Sequence, residues 1–215
     1  MPKSGKKRTA PTPRDREATR ARLIEAVGAL LAKKGFAALG INAVAREAGV
    51  DKVLIYRYFG GLPGIMAAYA REGDFWPSLK ELAGGDVKAF LQLPLSERME
   101  KLAHNYVDAI RRRPVTQEIM AWEMVARNEL TEELEAVREA SGLKMIELFL
   151  PPSEKTPDLA PLMIMVGAAL TYLVVRSRKI QWYSGLDLRS ETSWRQLELG
   201  VREIVQGILA GQQPI

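Results

Sequence analysis

Side chains able to do covalent or metal chemistry are scarce in this sequence: among 215 residues there is no cysteine and one histidine, His104. Without thiols there is no disulfide framework, thiolate metal site or cysteine nucleophile, and the chain suits a reducing, cytoplasmic setting. A lone histidine builds no metal cluster, so neither a metal nor another cofactor is expected. No glycine-rich phosphate loop is present, and no Ser-His-Asp set has pattern support. The adjacent carboxylates of Glu132 and Glu133 follow Thr131 at the start of a helix, where compensation of the helix dipole accounts for them. A helical enzyme is therefore the weakest reading, and no catalytic residue is assigned. Positive charge, in contrast, is concentrated. Residues 1–60 carry thirteen Lys and Arg against five Asp and Glu, and the rest of the chain carries eighteen against twenty-one. The first quarter is thus fitted to a polyanion.

The elements that position this charge are helical, and the expected fold class is all-α. Residues 1–15, rich in Lys, Arg and Pro, have no apolar anchor to offset the entropy of ordering them and read as a flexible basic arm rather than a secretory signal. From Arg16 to Lys34 the residues Leu23, Ile24, Val27, Leu30 and Leu31 recur at helical spacing, and Gly35 ends the helix. A short second helix carries Ile41, Val44, Ala45 and Ala48 and stops at Gly49, a residue free to take a left-handed cap. Asp51 then supplies an N-cap carboxylate for a third helix holding Leu54, Ile55, Tyr58 and Phe59. Two short helices joined by a tight glycine turn form a helix-turn-helix, whose second helix enters the major groove.

The chemistry expected of that second helix is base and phosphate recognition. Ile55 and Phe59 should pack inward, leaving Lys52, Val53, Tyr56 and Arg57 pointing away with charge, hydroxyl donors and one apolar contact suited to a thymine methyl.

The stretch GFAALGINAVAREAGVDKVLIYRYFGGLPGIMAAYA, within residues 20–70, resembles the N-terminal DNA-binding domain of the TetR family of bacterial transcriptional regulators. Its marks are Gly35-Phe36, Ile41, the run Ala45-Arg46-Glu47-Ala48-Gly49-Val50 and the block Ile55-Tyr56-Arg57-Tyr58-Phe59. The resemblance implies base and phosphate contacts at Asn42, Lys52, Val53, Leu54, Tyr56 and Tyr58, the last against a phosphate. Three positions depart from the family pattern. Gly40 stands where the family usually caps the second helix with threonine or serine, and Val53 and Leu54 stand where it usually has glycine and threonine. Gly60, Gly61 and Leu62 replace a lysine-rich turn, which removes phosphate contacts unless the basic arm supplies them.

Three segments follow from these patterns: the arm at 1–15, a helix-turn-helix domain at 16–61 and a helical domain at 62–215. In the last, a helix from Leu62 to about Leu82 should bend or break around Pro77. Helices at Ser96–Arg113, Pro114–Asn128 and Thr131–Leu150 follow. The run Leu159–Val175 lacks charge but is short for a membrane span and contains Pro161, Thr171 and Tyr172, so a helix buried on nearly all sides, with no membrane contact, is expected. A final helix at Ser193–Leu209 completes the chain. The resemblance implies that such a domain binds a ligand and dimerises. Independently, Gly167, Thr171, Gly200 and Gly207 permit close helix packing across a two-fold axis, or equally within one subunit. His104, Tyr106, Met120, Trp122 and Met124 are candidates for lining an effector cavity, against the plainer alternative of ordinary core. The function these readings support is a homodimeric repressor, bound to a palindromic double-stranded DNA operator and released by a small, largely apolar effector. The alternative is a ligand-independent architectural DNA-binding protein.

Overall fold

The computed structural model describes residues 12–150 and 158–211, so most of the expected arm lies outside the described residues. Within them the chain forms eleven α-helices and one two-stranded ribbon, and it divides into two compact units, Met1–Gly73 and Asp74–Ile215.

In the first unit, α1 spans Pro13–Lys34, three residues longer at its start than the apolar periodicity suggests. The extension has a local cause. Thr12 Oγ1 accepts the Asp15 N–H at 3.2 Å while the Asp15 carboxylate accepts the Thr12 N–H at 3.0 Å, and Pro13 fits a first turn that needs no donor. After a 3-10 turn at Phe36–Ala38 come α2 (Ile41–Ala48), α3 (Val53–Phe59) and α4 (Leu62–Glu72). The α2–α3 turn rests on Gly49 in the left-handed region (φ 65°, ψ 36°), with the Val50 N–H donating to the Ala45 carbonyl at 3.0 Å. Leu23, Val27, Leu30 and Leu31 of α1 form a buried core with Phe36, Val44, Ile55, Ile65 and Met66. Because α4 packs on α1 and α3, it belongs to this unit. The division therefore falls after Gly73 rather than after Gly61. Gly64 makes the approach of α4 possible, since a Cβ there would lie 1.7 Å from the Phe59 carbonyl oxygen.

The second unit contains α5 (Leu79–Leu82), α6 (Val87–Leu91), α7 (Leu95–Arg111), α8 (Pro114–Glu123), α9 (Glu129–Phe149), α10 (Ala160–Ser177) and α11 (Glu191–Ala210). Of the bend or break expected in the helix over 62–82, the structure shows a break, which leaves two helices. The first stops at Glu72, and Pro77 lies in the extended link before the second. The cap of α9 is Asn128, whose side chain accepts from the Leu130 and Thr131 N–H groups. The Thr131 hydroxyl returns to the Asn128 N–H at 2.9 Å, so Thr131 is the reciprocal partner and not the cap itself. Strands β1 (Trp182–Tyr183) and β2 (Leu186–Asp187) pair antiparallel between α10 and α11. α11 lies along α7, and α10 contacts α7 and α8, around a core that includes Phe90, Met99, Ile110, Phe149, Val174 and Trp194.

α10 departs from expectation in one respect. Leu170, Leu173, Val174 and Val175 are buried, but Ile164 and Met165 are 61% and 63% exposed and Tyr172 is 40% exposed. The helix is long and apolar enough to cross a membrane by length and composition. In this fold it packs one face into the second unit and leaves an apolar stripe uncovered.

Candidate nucleic-acid interface and effector cavity

The sequence of α3 decides which of its side chains are available. Its seven residues make two turns, so Ile55 can face the core while residues on the opposite side cannot. Ile55 is fully buried, and Lys52, Val53, Tyr56 and Arg57 are exposed, with Val53 at 57% and Tyr56 at 56%. Leu54 and Tyr58 are half-buried, and Asn42, near the start of α2, is exposed. Phe59 is half-buried, its ring covered by the Arg20 guanidinium at 5.4 Å, and Arg20 is held in turn by a forked pair with Glu72. Asp51 does not begin the helix but aligns it, because its Oδ1 accepts the Val53 N–H at 2.8 Å.

The charges of this unit sort into two groups. Arg20 and Lys33 are engaged by Glu72 and Glu47, and each carboxylate is held below its usual range, chiefly by the hydrogen bond from its partner. Among the described residues, Arg46, Lys52 and Arg57 have no carboxylate within ion-pair distance, so three cations on α2, at the N-cap of α3 and on α3 present unneutralised charge. An exposed row carrying Lys52, Val53, Tyr56 and Arg57 can donate to phosphates and base edges and offer Val53 to a methyl group.

The second unit holds two adjoining cavities. The first, about 330 Å³, is walled mainly by apolar side chains that include Leu102, Tyr106, Met145, Ile146, Met163 and Leu170. The second, about 320 Å³, is lined by Trp76, Met120, Glu123, Met124, Arg138 and Thr171. Trp76 faces both, and the Tyr106 hydroxyl of the first is hydrogen-bonded at 2.5 Å to Thr171 Oγ1 of the second. Burial pushes the Tyr106 hydroxyl above its ordinary pKa, so it stays a neutral hydroxyl there.

Of the five residues singled out from sequence, Tyr106 lines the first cavity, and Met120 and Met124 line the second. His104 and Trp122 line neither. His104 is exposed and its Nδ1 lies 3.0 Å from Glu198 Oε1 on α11. Two residues along a helix is about 200° around it, so His104 and Tyr106 face opposite ways and could not share a cavity. On α8 the neighbouring Glu123, not Trp122, reaches the cavity, where it pairs with Arg138 of α9. Glu123 is raised above its ordinary pKa by burial, opposed by the charge of Arg138. Trp76 is among the aromatic and methionine residues that the sequence offers for a ligand between Leu62 and Leu150, and Glu123 is a polar neighbour of Trp122 there, whereas Arg138 carries no such signal. The sequence signal for a polar group inside is that Glu123 is the single charged residue in the otherwise apolar run Met120–Met124.

Residues 23–68 match the family model for bacterial regulatory proteins, tetR family. No curated protein matches the chain in sequence. Solved structures share its fold. The fatty acid degradation regulator FadR from Bacillus halodurans is 16% identical with a TM-score of 0.59, covering 96% of this chain and 100% of that one. SCO4454, a TetR-family transcriptional regulator from Streptomyces coelicolor, is 16% identical with a TM-score of 0.60, covering 93% and 98%. NalD, the secondary repressor of the MexAB-OprM multidrug efflux pump in Pseudomonas aeruginosa, is 17% identical with a TM-score of 0.54, covering 86% and 96%. Residues 23–68 are thus similar to the helix-turn-helix domain of the TetR family, and the chain shares the helical fold of these solved structures.

Proposed function

We propose that this TetR-family regulator works as a cytoplasmic homodimeric repressor whose α3 helices enter successive major grooves of a palindromic operator, and that a small, largely apolar effector lowers its affinity for that DNA. The observation that carries the reading is the division of α3: Ile55 fully buried, and Lys52, Val53, Tyr56 and Arg57 on the exposed side. Asn42, Leu54 and Tyr58 complete the proposed contact set. The test is footprinting on selected DNA with the native chain and with Tyr56→Ala. The native chain should protect a bounded site, and Tyr56→Ala, an exposed substitution with little effect on folding, should bind it more weakly by about tenfold or more if its hydroxyl reads a base or phosphate. Protection by both proteins without sequence preference would favour the architectural alternative.

Dimerisation is supported by the uncovered apolar stripes of α10 and α11. Ile164, Met165 and Tyr172 on the first and Leu199 and Ile204 on the second are exposed large apolar side chains, more than a lone subunit ordinarily leaves in water. A Cβ at Gly200 or Gly207 of α11 would meet nothing within 4 Å among the described residues. These glycines are therefore not spent on packing within the subunit, which favours their use at a four-helix seam with a second copy. The proposed effector site is the pair of adjoining cavities that share Trp76 as a wall, of a size and apolar character suited to a small molecule. Such a ligand acts by binding one conformation better than another.

A further inference from the structure

Resting on the reading of the two cavities as the effector site, we propose that Glu123 selects the effector's chemistry, and that the site takes a cationic amphiphile, a protonated amine at Glu123 with an apolar tail in the neighbouring chamber. One oxygen of Glu123 pairs with Arg138. The other, Oε1, is shut away from solvent and has no hydrogen-bond partner among the described residues. A buried carboxylate oxygen left without a donor is an unmet demand, and an ammonium group meets it with a charge-assisted hydrogen bond.

The surroundings favour the same sign of charge. Arg138 is the one cation lining either cavity among the described residues, and it is already spent on Glu123 and on the face of Trp76, 5.9 Å from the ring centre. Glu139 lines the apolar chamber, and the charge of Glu135 acts on Glu123. A carboxylate-ended ligand would have to strip Arg138 from Glu123 and leave that glutamate buried and unpaired. The sulfurs of Met120 and Met124 and the ring of Trp76 are soft, polarisable walls that tolerate an ammonium group. The chamber formed by Leu102, Ile146, Met163 and Leu170, which shares Trp76 with this cavity, is the apolar space proposed for the tail.

The test uses one tail with three heads: decylamine, decanol and decanoate, titrated calorimetrically at neutral pH into the full chain below their aggregation concentrations. Decylamine should bind about tenfold or more tighter than decanol, and decanoate weakest. In Glu123→Gln, which preserves shape and a hydrogen bond to Arg138, the affinity for decylamine should fall about ten- to a hundredfold while decanol stays within about threefold. Decanoate binding tightest, or an amine preference that survives in Glu123→Gln, would overturn the proposal while leaving the effector cavity in place. No binding by any of the three would overturn the cavity reading and this proposal together. Should Glu123→Gln fail to fold, the head-group order of the native chain decides alone.

Discussion

Lys52 and Tyr58 are proposed to meet DNA on different terms. Lys52 is exposed with no carboxylate partner among the described residues. If it neutralises a phosphate, Lys52→Ala should reduce the slope of log K against log salt by about one, whereas a base contact would instead relax specificity at one position. Tyr58 is half-buried, and its proposed phosphate contact carries no sequence information, so Tyr58→Ala should weaken specific and non-specific binding to a similar degree. Unchanged affinity in both would remove α3 from the interface. A different residue governs stability in the second unit. Arg113, 9% exposed, donates to Asp74 at 2.6 Å and to both oxygens of Glu81 at 2.9 and 2.8 Å. The hydrogen bond from Arg113 leads the causes that hold Glu81 below its ordinary 4.5. A depressed folded-state pKa means that the stabilisation is present above 4.5 and lost as pH falls through the folded value. Glu81→Gln should therefore lower the melting temperature at neutral pH and flatten its decline in acid. A decline in acid as steep as that of the native chain would show that other carboxylates govern it.

At the scale of elements, what was legible in the sequence was what repeats. The apolar spacing of α1, α2, α7 and α11 locates those helices within a few residues, because a helix buries one face and the sequence must mark it. The phase of a side chain around the helix is harder to read. Trp122 and Glu123 differ by about 100°, and it is the glutamate that reaches the cavity. A buried ion pair leaves no trace in apolar periodicity, since its partner Arg138 lies on another helix. The β1–β2 hairpin did leave a signal, Ser184-Gly185 between Trp182-Tyr183 and Leu186. Both turn residues take positive φ, 48° and 83°, as the tight hairpin turn requires, but four strand residues are too few for alternation to register. Caps allow a paired prediction. Gly40 precedes α2 in extended backbone without a side-chain cap, and a Cβ there meets nothing within 4 Å. Gly40→Thr should stabilise the chain by about 0.5–1 kcal/mol through the added cap and a stiffer unfolded chain. Gly49→Ala, at φ 65°, should instead cost about 1–2 kcal/mol. Equal effects of the two on the denaturation midpoint would contradict this account of the turn.

At the scale of the whole molecule, the proposed function needs two copies, and the glycines of α11 give a way to separate folding from assembly. Gly207→Leu adds a side chain where the subunit has open space, so the melting of the isolated chain should change little, while a close helix seam would be forced apart. Sedimentation should show a native dimer and a monomeric variant, and the variant should lose most of its operator affinity because each half-site would be bound singly. A variant that remains dimeric would move the interface away from Gly207. The central claim, sequence-specific DNA binding by a symmetric dimer through α3, is tested most directly by selecting bound sequences from a random duplex pool with the full chain and sequencing what is retained. The account predicts an inverted repeat whose half-site centres are about 10 base pairs apart or a multiple of that, and its loss from the selection when Lys52 and Tyr56 are both replaced by alanine. Retention without any enriched motif, or the same motif recovered with the doubly substituted protein, would contradict it.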